Sequence, residues 1–231
     1  MSLADLADYE MVSPRTLAEA CEALSEALAE GTPVWPVAGC TDWMVERHLR
    51  PVAQQRERGL CIDVTRLREL RGIEERGDVV RIGAAEPYLE MRRSELLQRR
   101  CPMLVQMASE VGALQIQARG TLGGNLVTGS PAADGVTALM ALDAQVVLAS
   151  ATGERAVPLG SFYTGYKRSV RRADELVVRF ELVLPKEGAA QAWRKVGTRS
   201  AQSISKASVA LVVERDEAGV MRRVGLAAGS V

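Results

Sequence analysis

Histidine is almost absent: His48 is the only one in 231 residues. One imidazole cannot make a histidine metal cluster or a two-histidine relay. A general base also needs an orienting partner, which the sequence does not identify for His48, so no catalytic role is assigned to it. Cysteine is scarce as well. Cys21, Cys40, Cys61 and Cys101 lie far apart and form no CxxC, so neither a zinc site nor an iron–sulfur site is visible. Cys21 and Cys61 sit in apolar patterns and are read as reduced core residues; the expected compartment is the cytoplasm. Net charge is missing too: 29 basic residues face 29 acidic ones, which argues against a nucleic-acid footprint. No apolar run reaches the roughly 18 residues of a spanning helix. The first ten residues carry acids and no apolar core, so no signal peptide is expected there.

What is present is a globular composition, with 47% apolar and 25% charged residues. The length allows one large domain or two modest ones. The informative stretch is Gly120-Thr121-Leu122-Gly123-Gly124-Asn125-Leu126, followed by Ser130-Pro131-Ala132-Ala133-Asp134. Its adjacent glycines predict a turn with positive φ, whose successive N–H groups would form an anion-binding concavity. Ser130 reads as an N-cap and Pro131 as the first helical residue, adding a helix N-terminus beside the turn. Together they point to a phosphorylated cofactor. An ordinary turn and an ordinary helix start remain open on the glycines alone. A second segment of similar chemistry, Ala38-Gly39-Cys40-Thr41-Asp42, stands far upstream. It follows a short apolar strand, and ligands in α/β folds gather at the carboxyl ends of strands. Asp42 could equally cap a helix starting at Trp43. Cys40 has no cationic neighbour in sequence and is read as a small packing residue.

The remaining pattern alternates helix and strand. Ser13-Pro14 is expected to open a helix that Gly31 closes, with apolar residues at helical spacing between. Strands are expected over 34–38 and 60–64, a polar loop over 51–59, and a hairpin around Arg76-Gly77-Asp78. Helical patterns cover 89–97, 103–111 and 131–142. The segment 162–167 is the densest aromatic cluster and reads either as a ligand surface or as packing under a loop. After 175–184 the pattern changes near residue 187 to antiparallel strands that no helix is expected to cover, so the last layer reads as incomplete.

These motifs, with Leu142-Asp143-Ala144, Pro158-Leu159 and Asp174-Glu175-Leu176 in order behind them, resemble the FAD-binding medium subunit of the molybdenum hydroxylases, the group of xanthine dehydrogenase and aerobic carbon monoxide dehydrogenase. The resemblance covers essentially the full chain. It implies an α+β fold: a two-part FAD-binding domain of the vanillyl-alcohol oxidase (PCMH) type over 1–186, with α/β subdomains at 1–58 and 59–186. A partial C-terminal antiparallel α+β domain over 187–231, which looks truncated, would follow. By resemblance Val37, Ala38, Gly39, Cys40, Thr41 and Asp42 line the first phosphate loop. Thr121, Gly123, Gly124 and Asn125 form the second, and Asp134 binds further along the cofactor. Leu176 or Val177 packs against the flavin ring. Lys195 approaches it, with a charge that would favour the anionic reduced form.

The chain departs from the family pattern at Cys40, usually glycine, where a thiol narrows the loop and is tolerable if φ stays negative, and at Gln117, Ala118 and Gln202. Another departure is Ala85-Glu86-Pro87, where a threonine is usual. The resemblance also implies a molybdenum-binding large subunit and a 2Fe–2S small subunit as partners, with molybdopterin and the clusters on those chains, and NAD or another acceptor reoxidising the flavin. A scaffold subunit that has lost FAD and a stand-alone FAD-dependent reductase are the alternatives.

Overall fold

The computed structural model describes residues 9–49, 58–199 and 202–231. Most of the loop expected over 51–59, and nearly all of the acidic first ten residues, lie outside them.

The chain opens with β1 (Tyr9–Val12), α1 (Leu17–Ala29), β2 (Val34–Val37), α2 (Trp43–Leu49) and β3 (Gly59–Asp63). The three strands form a parallel sheet with β3 in the middle. Helix α1 starts later than Ser13-Pro14 implied. Thr16 is its N-cap, its hydroxyl accepting from the Glu19 N–H, while the Glu19 carboxylate reaches back to the Arg15 N–H at 2.7 Å. Reciprocal bonding of this kind satisfies donors that a helix start leaves free. Ala20, Cys21, Leu24 and Ala27 are its buried stripe.

Next come β4 (Ile73–Arg76) and β5 (Val79–Gly83), the expected hairpin, with Gly77 at φ +60° in the turn. The helices α3 (Tyr88–Arg93), α4 (Glu95–Arg100), α5 (Pro102–Glu110), α6 (Leu114–Gln117), α7 (Leu122–Thr128) and α8 (Asp134–Ala141) follow. The pattern over 89–97 is therefore two helices. Ser94 breaks it, its hydroxyl capping the Leu97 N–H of α4. Strands β6 (Gln145–Ser150) and β7 (Gly153–Pro158), the short pair β8 (Tyr163–Gly165) and β9 (Arg168–Ser169), and β10 (Leu176–Val183) complete this part. The second sheet is antiparallel, in the order β4-β5-β10-β6-β7.

Strand β10 joins two cores. Its register shifts between Val177 and Arg179, and a bulge redirects the side chains beyond it. Leu176 and Val178 pack with α1 and β3. Val177, Phe180 and Leu182 pack with the helices α3, α4, α5, α7 and α8.

The last strands, β11 (Ala190–Val196), β12 (Ala207–Arg215) and β13 (Met221–Gly229), form an antiparallel sheet. The expectation that no helix covers it is wrong on one face. Trp193, Ala210 and Val212 are buried in the same cluster as α5 and α8. The covering helices α8 and α5 end 49 and 80 residues before β11 begins, which no local pattern could show. Small residues on β13 admit α8 closely: a Cβ on Gly225 would stand 1.9 Å from the Ala141 carbonyl oxygen. The opposite face leaves Val196, Val209, Val224 and Leu226 exposed. The class is α+β, as expected.

Candidate functional site

The two glycine segments meet across the fold. A Cβ on Gly39 would lie 1.9 Å from the Arg119 carbonyl oxygen, so glycine is what lets the first loop touch the second. Between and beyond them runs a cleft of about 1150 Å³, lined by both loops and by Tyr88, Asp134, Arg171, Leu176 and Lys195. That exceeds the 300–1,000 Å³ usual for a drug-sized ligand and suits an extended dinucleotide.

The first loop leaves β2 after Val37 and enters α2. None of the amides of Gly39, Cys40, Thr41 and Asp42 donates to a protein acceptor among the described residues. Cys40 has φ +60°, so the condition of a negative φ is not met. A left-handed residue in a loop can turn successive N–H groups to one side, which makes an anion-binding nest. The thiol itself only donates to the Ala38 carbonyl, at 3.5 Å. Burial pushes its pKa up despite the opposing Arg119 charge, so the packing role holds and the thiol is no nucleophile at neutral pH.

The second loop differs from the expected turn. Its adjacent glycines do not take positive φ; they form the first turn of α7. Thr121 is the N-cap, its hydroxyl accepting from the Gly124 N–H at 3.0 Å. Gly123 is not in the cleft. It faces the core, where its N–H bonds to the Ala84 carbonyl at 2.9 Å and a Cβ would come within 2.6 Å of that oxygen. Ser130-Pro131 does not start a helix either. The Ser130 hydroxyl accepts from the Ala132 N–H in a local turn, and α8 begins at Asp134 behind Ala133.

Twelve of the thirteen residues implied by the resemblance line the cleft: Val37, Ala38, Gly39, Cys40, Thr41, Asp42, Thr121, Gly124, Asn125, Asp134, Leu176 and Lys195. Asp134 is held from two sides. Lys195 Nζ lies 2.6 Å from Oδ2 and Ser205 Oγ 2.5 Å from Oδ1. The aromatic cluster divides. Phe162 is core, Tyr163 donates its hydroxyl to the Leu126 carbonyl at 2.7 Å, and Tyr166 lies at the cleft, largely exposed. Gln117, one of the departures, is a buried strut, its amide donating to the Ser109 and Val111 carbonyls at 3.0 Å each.

Several residues at the cleft carried no sequence signal. Tyr88 passes beneath Gly120 and ends beside Asn125: a Cβ on Gly135 would meet both the Tyr88 hydroxyl and Asn125 Oδ1. Both atoms are buried without a partner among the described residues, as is Trp43 Nε1. Burial, with the nearby Asp134 and Asp42 carboxylates, raises the Tyr88 pKa far above the ordinary range, so the hydroxyl keeps its proton. Behind the wall, Arg47 is buried over the Trp35 ring at 4.0 Å, with Tyr9 and Trp43 around it, an arrangement that packs a cation against aromatic faces.

An unpartnered run of amides, glycines where backbones touch, and orphaned polar atoms in the same walls fit a phosphorylated dinucleotide. The fold and the cleft thus define a dinucleotide-cofactor domain. The chain belongs to the FAD-binding domain family of molybdopterin dehydrogenases, whose model matches residues 7–186. It is 32% identical to the nicotinate dehydrogenase FAD-subunit of Eubacterium barkeri over 97% of this chain and 75% of that protein. It is 33% identical to a xanthine dehydrogenase FAD-binding subunit of Escherichia coli over 87% of this chain and 66% of that one. Carbon monoxide dehydrogenase from Hydrogenophaga pseudoflava superposes with a TM-score of 0.87 at 28% identity, over 96% of this chain and 74% of that one. The chain thus spans about two thirds to three quarters of these relatives' lengths. No helix among the described residues is long and apolar enough to cross a membrane.

Proposed function

We propose that the cleft holds FAD in an electron-transfer subunit, and that the flavin takes electrons from a 2Fe–2S partner subunit and passes them to NAD or another acceptor, the substrate being oxidised on a molybdenum-binding large subunit. The observation that carries this reading is the free amide run from Gly39 to Asp42, set across the cleft from Thr121 and Gly124. The amides of the first loop would hold the diphosphate; Thr121, Gly124 and Asn125 would close over it. Asp134, oriented by Lys195 and Ser205, would accept from cofactor hydroxyls. Leu176 would give the ring an apolar seat.

When bound, FAD supplies a couple that exchanges electrons singly or in pairs, which suits a carrier between iron–sulfur clusters and a hydride acceptor. The protein contributes binding, orientation and the local field. The departures at Cys40 and Gln202 leave the cleft open, which supports a loaded subunit over a scaffold that has lost its cofactor.

The test is purification of the tagged chain from its native host, with FAD, molybdenum and iron measured per chain. The reading expects all three to co-elute, and expects the flavin, reduced anaerobically through the partners, to be reoxidised by NAD or a dye. A chain that elutes alone, without iron or molybdenum, overturns the partner assignment.

A further inference from the structure

Four basic side chains among the described residues line the cleft: Lys167, Arg171, Lys195 and Arg199. Two are paired with carboxylates. Lys195 contacts Asp134 at 2.6 Å and Lys167 contacts Glu46 at 3.2 Å. Arg199 folds onto its own loop, giving two N–H groups to the Gln202 carbonyl.

Arg171 differs. Its Nη1 donates to two carbonyl oxygens, of Glu175 at 2.7 Å and of Arg172 at 3.2 Å. Its Nε and Nη2 have no protein acceptor, and no carboxylate lies in ion-pair contact with it, among the described residues. The adjacent Glu175 carboxylate is taken up elsewhere. Arg155 grips it at 2.6 and 2.8 Å, and Arg172 adds its own N–H at 2.7 Å and its guanidinium at 3.1 Å. A guanidinium has five donors in a planar fork, and here most of them are left over. Burial pulls the Arg171 pKa down, against Glu175 and Asp174, which marks a charge only partly compensated by its surroundings. Arg171 also anchors the carbonyl that immediately precedes Leu176, so it stands beside the proposed seat of the flavin ring.

We propose that Arg171 is the residue that sets the reduction potential of the flavin, by stabilising the negative charge that two electrons and one proton leave on the ring. The electrons come from a one-electron iron–sulfur donor, delivered in two steps, and the proton from water. The inference rests on the reading that the cleft holds FAD with its ring against Leu176. It reassigns a role that the resemblance gave to Lys195. Lys195 and Asp134 together carry no net charge, so they act on the ring as a short dipole, whereas Arg171 acts as a whole charge. Lys195 becomes a positioning residue for Asp134.

The test measures midpoint potentials of the FAD-loaded protein by dye equilibration, together with FAD affinity from quenching of Trp35 and Trp43, which line the cleft. Uptake of FAD by the unaltered protein is read first, and its failure overturns the cofactor reading itself. Given uptake, Arg171→Leu is expected to lose at least tenfold in preference for reduced over oxidised FAD, a fall of about 30 mV for a two-electron couple. Arg171→Gln keeps a donor for the two carbonyls without the charge and is expected to fall as far, which covers the case in which the leucine variant does not fold. Arg171→Lys should retain most of the potential. Removing the pair in Lys195→Met/Asp134→Asn should change it less than either neutral variant. An FAD-loaded Arg171→Gln protein at the unaltered potential overturns the proposal, as does a larger shift from the double variant.

Discussion

Lys195 Nζ lies 2.6 Å from Asp134 Oδ2, and both side chains are 8% exposed. The contact ties the first strand of the last sheet to the start of α8, at the wall of the cleft. Ser205 takes the other oxygen of Asp134, and the Ser205 carbonyl accepts from the Ser230 hydroxyl at 2.6 Å. The last sheet is therefore part of the site's support as well as a packing layer.

Removing one partner of such a pair strands a buried charge, which typically costs about 3–5 kcal/mol, whereas removing both is far milder. Lys195→Met should accordingly lose about 3 kcal/mol in urea unfolding, and Lys195→Met/Asp134→Asn should recover more than half of that. Equal losses in the single and double variants would show that the pair is not coupled.

Cys40 sits at φ +60°, in a region that costs a side-chain-bearing residue about 1–2 kcal/mol. Glycine relieves this but gives back roughly 0.5–1 kcal/mol as chain entropy. Cys40→Gly should therefore be neutral or stabilising by up to about 1 kcal/mol, with FAD affinity kept. Cys40→Val, β-branched at positive φ, should cost about 2 kcal/mol or more and weaken FAD binding. A valine variant as stable as the native chain would mean the loop adopts another backbone.

Buried thiols give the protein an alkaline limit. Burial pushes Cys61 up to about 11 and Cys101 up to about 12, from an ordinary 9.0. The folded state then holds these protons more tightly than the unfolded state. The sign follows: between the unfolded and folded values, stability falls as pH rises, by up to about 1.4 kcal/mol per pH unit for each thiol. Urea midpoints should be flat from pH 7 to 8 and should drop from pH 9 to 11. Cys61→Ala/Cys101→Ala should flatten that drop, at the cost of a lower plateau. A slope unchanged in the double variant would place its origin elsewhere.

Much of the site was legible because its chemistry is local. Gly39, Thr41, Asp42, Thr121 and Asn125 lie in contiguous segments whose residue types are unusual together, and the fold brings them to one cleft. Strands such as β3 and β10 were legible from apolar runs bounded by turn residues. The misses have physical causes. Gly123 and Gly124 read as a turn because glycine permits one, yet Gly123 is needed for contact with Ala84 inside a helix, and sequence does not separate those two uses. Ser130 performs capping chemistry in a turn, so its hydroxyl signalled a helix three residues early. Tyr88, Arg171 and Ser205 reach the cleft only through tertiary packing, and the cover of β11 to β13 comes from α5 and α8.

FAD is proposed to occupy the cleft where the two loops touch at Gly39 and Arg119. The direct measurement is the visible spectrum and FAD content of the purified chain after addition of FAD, beside Gly39→Ala, whose added Cβ would stand 1.9 Å from the Arg119 carbonyl oxygen. The prediction is twin flavin bands with one FAD per chain in the unaltered protein, and at least tenfold weaker binding in a folded Gly39→Ala. A folded unaltered chain that takes up no FAD, or a Gly39→Ala protein that binds it equally well, would contradict the claim.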